Sequence, residues 1–148
     1  MKDKLEITIT SIDGKTYHDF VDALYIDVPT SGRMGILPNR IPFVSMLSTS
    51  IIYFLKSHKK YYFAIAEGVI NYRDSKATIL CDAFEAANEI DKARAISEKE
   101  KAEEALSNLE TTDDVMYDDA SFSLKKALNR LKLIKWKYFL IFCINLHF

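Results

Sequence analysis

An all-β N-terminal sandwich or flattened barrel, followed by a C-terminal antiparallel α-helical hairpin, is the fold this sequence predicts. Three observations carry it. Short runs of β-branched and aromatic residues, separated by turn signals, fill residues 1–86. From Ala83 onward alanine, glutamate and lysine dominate, and no glycine or proline follows Gly68. Charge divides along the same line: ten acids face ten bases in 1–86, eleven acids face four bases in 87–119, and six bases stand without an acid in 120–148. The expected organisation is a sandwich domain over 1–86, a two-helix hairpin over 87–137 and an apolar extension over 138–148.

Each element has its own local reason. Leu5-Glu-Ile-Thr-Ile-Thr10 alternates apolar and polar residues, as a strand with one buried face does. Asp13-Gly14 marks a tight turn, and Tyr17–Val21 and Leu24–Val28 read as the next strands. Pro29 ends the second of these, because proline cannot donate to a ladder. The stretch Pro29–Pro42 holds all three prolines and two of the four glycines, and reads as a long irregular loop. Phe43–Lys56 and Lys60–Asn71 read as strands joined by a turn at Ser57–Lys60. Gly68 interrupts the second, which signals a bulge or a close backbone approach. Arg73–Lys76 is a further turn and Ala77–Asp82 a last strand.

In the helical part, Ile90, Ala93, Ile96, Ala102, Ala105, Leu106 and Leu109 trace one face. Thr111–Asp114 breaks the run, and Asp118 or Asp119 is expected to cap a second helix. Ala120, Leu124, Ala127, Leu128, Leu131 and Ile134 then recur at spacings of three and four. An acidic helix beside a basic one favours a closed hairpin, with exposed pairs each contributing only about 0–1 kcal/mol.

Several function classes lose support at this stage. A net charge of -1 gives no general attraction to nucleic acid. Cys81 and Cys143 fit no metal spacing, and His18, His58 and His147 form no ligand set. No phosphate-cradling glycine loop or nucleophile elbow occurs. The N-terminus lacks an apolar signal region, so export is not expected. The apolar run Trp136–Phe148 falls short of the about 20 residues of a membrane span. The chain is therefore expected to bind partners and not to act as an enzyme.

The loop Ser31-Gly-Arg-Met-Gly-Ile-Leu-Pro-Asn-Arg-Ile-Pro42 resembles the Gly-x-x-Gly-Ile-Leu-Pro-Gly-His-x-Pro signature of the epsilon subunits of F-type ATP synthases. Gly32, Gly35, Ile36, Leu37, Pro38 and Pro42 match it. Ile9–Gly14, Tyr62–Val69, Ala77–Leu80 and Glu89–Ala95 are similar to further segments of that family, in the same order. Asn39-Arg40 replaces the usual Gly-His; asparagine tolerates the left-handed backbone that glycine would supply. Glu67 in place of a small residue is a second departure.

The resemblance implies a non-catalytic rotor subunit of the central stalk, peripheral to the cytoplasmic face of the cell membrane. The matched loop would serve partner contact. The sandwich would bind the gamma subunit and the c-ring, and the hairpin would reach the alpha/beta catalytic head and restrain ATP hydrolysis. No cofactor is required, but some members hold a regulatory ATP through Ile/Leu-Asp-x-x-Arg-Ala, matched by Ile90, Asp91, Arg94 and Ala95. Glu85, Lys126 and Arg130 align with further ligand positions, Lys126 replacing an arginine. Apart from the resemblance, Asp91 reads as a helix N-terminal acid and Arg94 as its ion-pair neighbour. An alternative is a sandwich adaptor that docks on a membrane or partner through its basic helix and apolar tail.

Overall fold

The computed structural model describes residues 3–109 and 114–146, with side chains described as far as residue 136. Of the break between helices expected at Thr111–Asp114, residues 111–113 lie outside the described residues, as do the side chains of Lys137, Cys143 and His147, while Asp114 is helical. The chain divides into two compact units, Met1–Ala86 and Ala87–Phe148.

The first unit is a sandwich of ten strands: β1 Leu5–Ser11, β2 Thr16–Val21, β3 Ala23–Val28, β4 Gly32–Ile36, β5 Phe43–Leu47, β6 Ser50–Lys56, β7 Lys59–Ile65, β8 Gly68–Arg73, β9 Lys76–Cys81 and β10 Phe84–Ala86. One sheet runs β2-β1-β9-β8-β5 and the other β10-β7-β6-β3-β4. All neighbours are antiparallel except β1 and β9, where Ile7 and Ile9 lie beside Ala77 and Ile79. Strand alternation sends Leu5, Ile7, Ile9, Ile70, Tyr72 and Ile79 inward from the first sheet. Leu24, Ile26, Ile36, Ile52, Phe54 and Ile65 enter from the second, and together they form the core. The turns Ser57-His58 and Asp74-Ser75 place both residues at positive φ, 51° and 65° then 50° and 58°. Such two-residue turns match the natural twist of a hairpin.

Three sequence readings need correction. The loop Pro29–Pro42 contains β4, which pairs along Leu24 to Val28 of β3. Gly32 at φ 71° turns the chain back after Val28, so the glycine starts a strand here. Phe43–Lys56 is two strands in different sheets, because the chain crosses over at Ser48-Thr49. A similar crossover at Ala66-Glu67 divides Lys60–Asn71. There Glu67 N–H donates to Thr49 Oγ1 at 3.2 Å, and Asp82 N–H to the Glu67 carbonyl at 3.1 Å. Glu67 itself is exposed, so the substitution for a small residue meets no packing conflict.

A polar clasp joins the two sheets at one margin. Lys56 Nζ of β6 donates to both oxygens of Asp19 on β2, at 2.7 and 2.8 Å, and Tyr17 Oη donates to Asp19 Oδ2 at 2.9 Å. Tyr17 also packs its ring against Phe54 and Phe63 across the sandwich. Burial pushes the Asp19 pKa upward, but Lys56, the Phe20 N–H and Tyr17 outweigh it and hold it below the usual carboxylate value. A hydrogen bond from His18 lowers the Glu6 pKa, and one from Lys4 lowers that of Asp22. A carboxylate depressed in the native state contributes stability above its unfolded pKa, about 4, and loses it as pH falls through the native value. The urea midpoint is therefore expected to drop on acidification from pH 6 to pH 3, with a smaller drop in Asp19→Asn. Equal pH dependence in the two proteins would contradict the assignment.

Among the described residues the second unit holds two helices, α1 Lys92–Asn108 and α2 Asp114–Leu146. Asp91 caps α1, its carboxylate accepting the Arg94 backbone N–H at 3.2 Å. Ile90 thus stands before the helix, and the buried positions of α1 are Ala95 and Ala102, while Ala93 and Ile96 are exposed. The expected face therefore holds at Ala102, Leu106 and Leu109, while Ala95 replaces Ala93 and Ile96 in its first turns and Ala105 is exposed. The second helix begins at Asp114, ahead of Asp118 and Asp119, because Asp114 already supplies the acidic first-turn residue that favours a helix start. Ala127, Leu133 and Ile134 are buried and Leu128 is exposed. Asp91→Ala is expected to destabilise α1 by about 1 kcal/mol, seen as faster amide exchange over its first turn.

Candidate functional site

Two features of the chain can meet a partner: a fixed loop on the sandwich and a cationic groove in the hairpin. In the loop, Ile36 is fully buried opposite Leu24. Gly35 lies beneath Tyr25, and a Cβ there would stand 3.0 Å from that ring. This glycine is explained by the aromatic ring that covers it. Asn39 adopts φ 61°, the left-handed conformation its side chain tolerates. Its N–H donates to Ser75 Oγ at 2.9 Å and its side-chain amide to Asp3.

Buried Tyr72 ties the loop from below. Its hydroxyl donates to the Leu37 carbonyl at 3.0 Å and accepts the Arg40 N–H at 3.1 Å. Arg40 Nη1 donates to the Gly35 carbonyl at 2.8 Å, with its guanidinium over the Phe43 ring. Arginine in place of the usual histidine thus braces the loop internally. The bracing leaves Leu37 59 % exposed and Ile41 81 % exposed. Pre-set backbone and exposed apolar tips are what a docking loop requires, since little ordering entropy remains to be lost on binding.

In the hairpin, Arg94, Glu98 and Lys101 of α1 and Asp119, Ser123, Lys126 and Arg130 of α2 line a groove of about 760 Å³. Ala102, Ala105 and Ala120 form part of its apolar lining, small side chains that leave room between the helices. Arg94 Nε donates to Glu98 Oε1 at 3.0 Å, and Arg130 Nη1 donates to Glu98 Oε2 across the hairpin. Lys126 Nζ lies 5.0 Å from the Phe122 ring centre. Arg94, Lys126 and Arg130, chosen from the sequence, therefore share one groove. Asp91 spends its carboxylate on the helix cap, and Arg94 pairs with Glu98 in its place. Ile90 is half-buried before the cap and Ala95 is buried. Glu85 belongs to β10 in the other unit.

Sequence reasoning missed Glu98, Lys101 and Ser123. The signal for Glu98 was its i,i+4 spacing from Arg94, which places both on one helix face. Among the described residues no cluster of three His, Cys, Asp or Glu could hold a metal ion. No helix of the described residues is long and apolar enough to cross a membrane. Cys81 is buried, and burial pushes its thiol up to about 11, which leaves it protonated at neutral pH.

A sandwich presenting a braced loop, joined to a hairpin presenting a cationic groove, defines a two-module binding protein. The family models for the beta-sandwich domain and for the long alpha-helix domain of the ATP synthase delta/epsilon chain match residues 4–87 and 88–135. The chain belongs to the ATP synthase delta/epsilon chain family. The ATP synthase epsilon chain of Bacillus licheniformis is 33 % identical over 131 residues, covering 88 % of this chain and 98 % of the relative. That of Nitratidesulfovibrio vulgaris is 30 % identical, covering 90 % and 97 %. In fold, the chain is similar to one in the Euglena gracilis mitochondrial ATP synthase structure of OSCP, F1 and c-ring. The TM-score is 0.65 at 21 % identity, covering 82 % of this chain and 76 % of that one. A chain from the Tetrahymena thermophila mitochondrial ATP synthase central stalk and c-ring gives 0.56 at 13 %, covering 90 % and 98 %.

Proposed function

We propose that this chain is the epsilon-type, non-catalytic subunit of the ATP synthase central stalk, turning with the rotor. The sandwich grips the gamma subunit and faces the c-ring, and the hairpin meets the alpha/beta head and restrains ATP hydrolysis. The complex holds the chain peripherally at the cytoplasmic face of the membrane. The observation that carries this reading is the family match over both modules, in order, across residues 4–135. It leaves the stand-alone adaptor reading without support of its own. The braced loop, with Leu37 and Ile41 outward, supplies a preformed contact for an apolar partner surface.

The hairpin groove is read as a site for a regulatory ATP, held as a signal and not consumed. Arg94, Lys101, Lys126 and Arg130 give the charge and donors that a triphosphate needs. The groove volume lies within the range of small-molecule sites. Lysine at 126 offers a point charge without the bidentate fork of arginine, so Lys126→Arg is expected to tighten MgATP several-fold in isothermal titration. Weaker binding in that variant would remove Lys126 from the site. The restraint is tested by the ATPase rate of an alpha/beta/gamma complex. Adding the full chain at low ATP slows hydrolysis if the reading holds; an unchanged rate overturns it.

A further inference from the structure

Among the described residues, Glu98 is the acid of the groove shared between its two arginines, Arg94 and Arg130. Its two carboxylate oxygens are divided between them: Oε1 accepts from Arg94 on the preceding turn of α1, and Oε2 accepts from Arg130 on α2. Neither arginine comes from the same place in the chain, so one carboxylate closes a bridge within a helix and across the hairpin. The bridge is partly sheltered, since the Glu98 side chain is 33 % exposed and that of Arg130 17 %, against 75 % for Arg94. Solvent and salt therefore screen the Arg130 half less than an ordinary surface pair.

A carboxylate accepting from two guanidinium groups presents two anionic oxygens on a trigonal centre. One edge of a phosphoryl group would present the same pair. We propose that Glu98 is a built-in anion that occupies the phosphate-binding arginines of the hairpin, so that a polyphosphate enters the groove only by displacing it. This rests on the nucleotide reading of the groove. The displaced carboxylate loses two charge-assisted bonds, and the arriving ligand must replace both. A triphosphate has the charge and oxygens to do so from one molecule, whereas a nucleoside without phosphate gains nothing from the exchange. Glu98 thus sets a threshold: it keeps Arg94 and Arg130 paired when nucleotide is scarce and yields them when it is abundant.

The test is isothermal titration of the full chain with MgATP, inorganic tripolyphosphate and adenosine, in wild type, Glu98→Gln, Glu98→Ala and Glu103→Gln. Glu103 lies outside the groove and pairs with Lys99 at 3.8 Å, so its variant carries the same charge change without touching the bridge. Both Glu98 variants are expected to bind MgATP and tripolyphosphate about ten-fold tighter, the size of one charge-assisted hydrogen bond. Adenosine binding and the Glu103→Gln values should stay at wild type. Circular dichroism checks that the helices persist, and Glu98→Ala keeps the comparison if the glutamine variant loses them. Wild-type binding with no gain in either Glu98 variant overturns the proposal, as does an equal gain in Glu103→Gln. Absence of heat with MgATP in every protein overturns the nucleotide reading itself, and the proposal falls with it.

Discussion

Gly68→Ala is expected to cost the sandwich about 3 kcal/mol of unfolding free energy, at the upper end for a single added methyl group. The reason is the approach of backbone to backbone where β8 begins. A Cβ at Gly68 would stand 2.3 Å from the Leu80 carbonyl oxygen and 3.0 Å from Cα and Cβ of Cys81. Gly68 pairs with Leu47 on one side and Cys81 on the other, so the strand cannot retreat without opening a ladder. No flexible side-chain tip can move aside to relieve the contact. Gly14 provides the contrast. It sits at φ 89° with nothing within 4 Å of a built Cβ, so Gly14→Ala meets only backbone strain, about 1 kcal/mol. Urea titration of the two variants decides the matter. A Gly68→Ala midpoint at or above that of Gly14→Ala would contradict the packing account.

The second large effect concerns the groove. Arg130→Ala is expected to weaken MgATP binding at least about 100-fold, a loss of roughly 2.7 kcal/mol. Two losses combine. The ligand forfeits a guanidinium held in place across the hairpin, and Glu98 remains as a half-sheltered anion with only Arg94 to balance it. Arg130→Lys should fall between wild type and alanine, because it restores charge without the planar fork. Titration with MgATP reads all three. Equal affinity for wild type and Arg130→Ala would remove Arg130 from the site.

How much of this could be read beforehand depended on whether the cause was local. The alternation of Leu5, Ile7 and Ile9 prescribes a one-faced strand, and β1 has that burial pattern. Gly68 inside strand-like sequence announced a close approach, and Asn39 in a glycine position announced a left-handed backbone. The missed elements have causes distant in sequence. Strand β4 hides between prolines and glycines, and its pairing with Leu24 to Val28 makes it a strand. Strand β10 is three residues long and depends on the edge of β7, opposite Phe63 to Ile65. The crossovers at Ser48-Thr49 and Ala66-Glu67 leave no composition break, since β-branched and aromatic residues suit either sheet equally.

The candidate site divides in the same way. Arg94, Lys126 and Arg130 were found through a resemblance in sequence, and the fold brings them to one groove. The cap at Asp91 followed from its place before a helix, but the Arg94 side chain turned to Glu98. The second half of the bridge comes from Arg130, which lies 36 residues further along the chain than Arg94. A helix pattern read alone shows Glu98 four residues from Arg94 but cannot place the facing helix, so the bridge to Arg130 stayed out of view.

The central claim is that the sandwich exists to hold a rotor partner. Size-exclusion chromatography of the full chain mixed with the gamma subunit tests it most directly. The account expects one co-eluting peak of equal stoichiometry. Two separate peaks from folded wild-type proteins, at concentrations of tens of micromolar in the ~0.15 M salt of physiological screening, would contradict it.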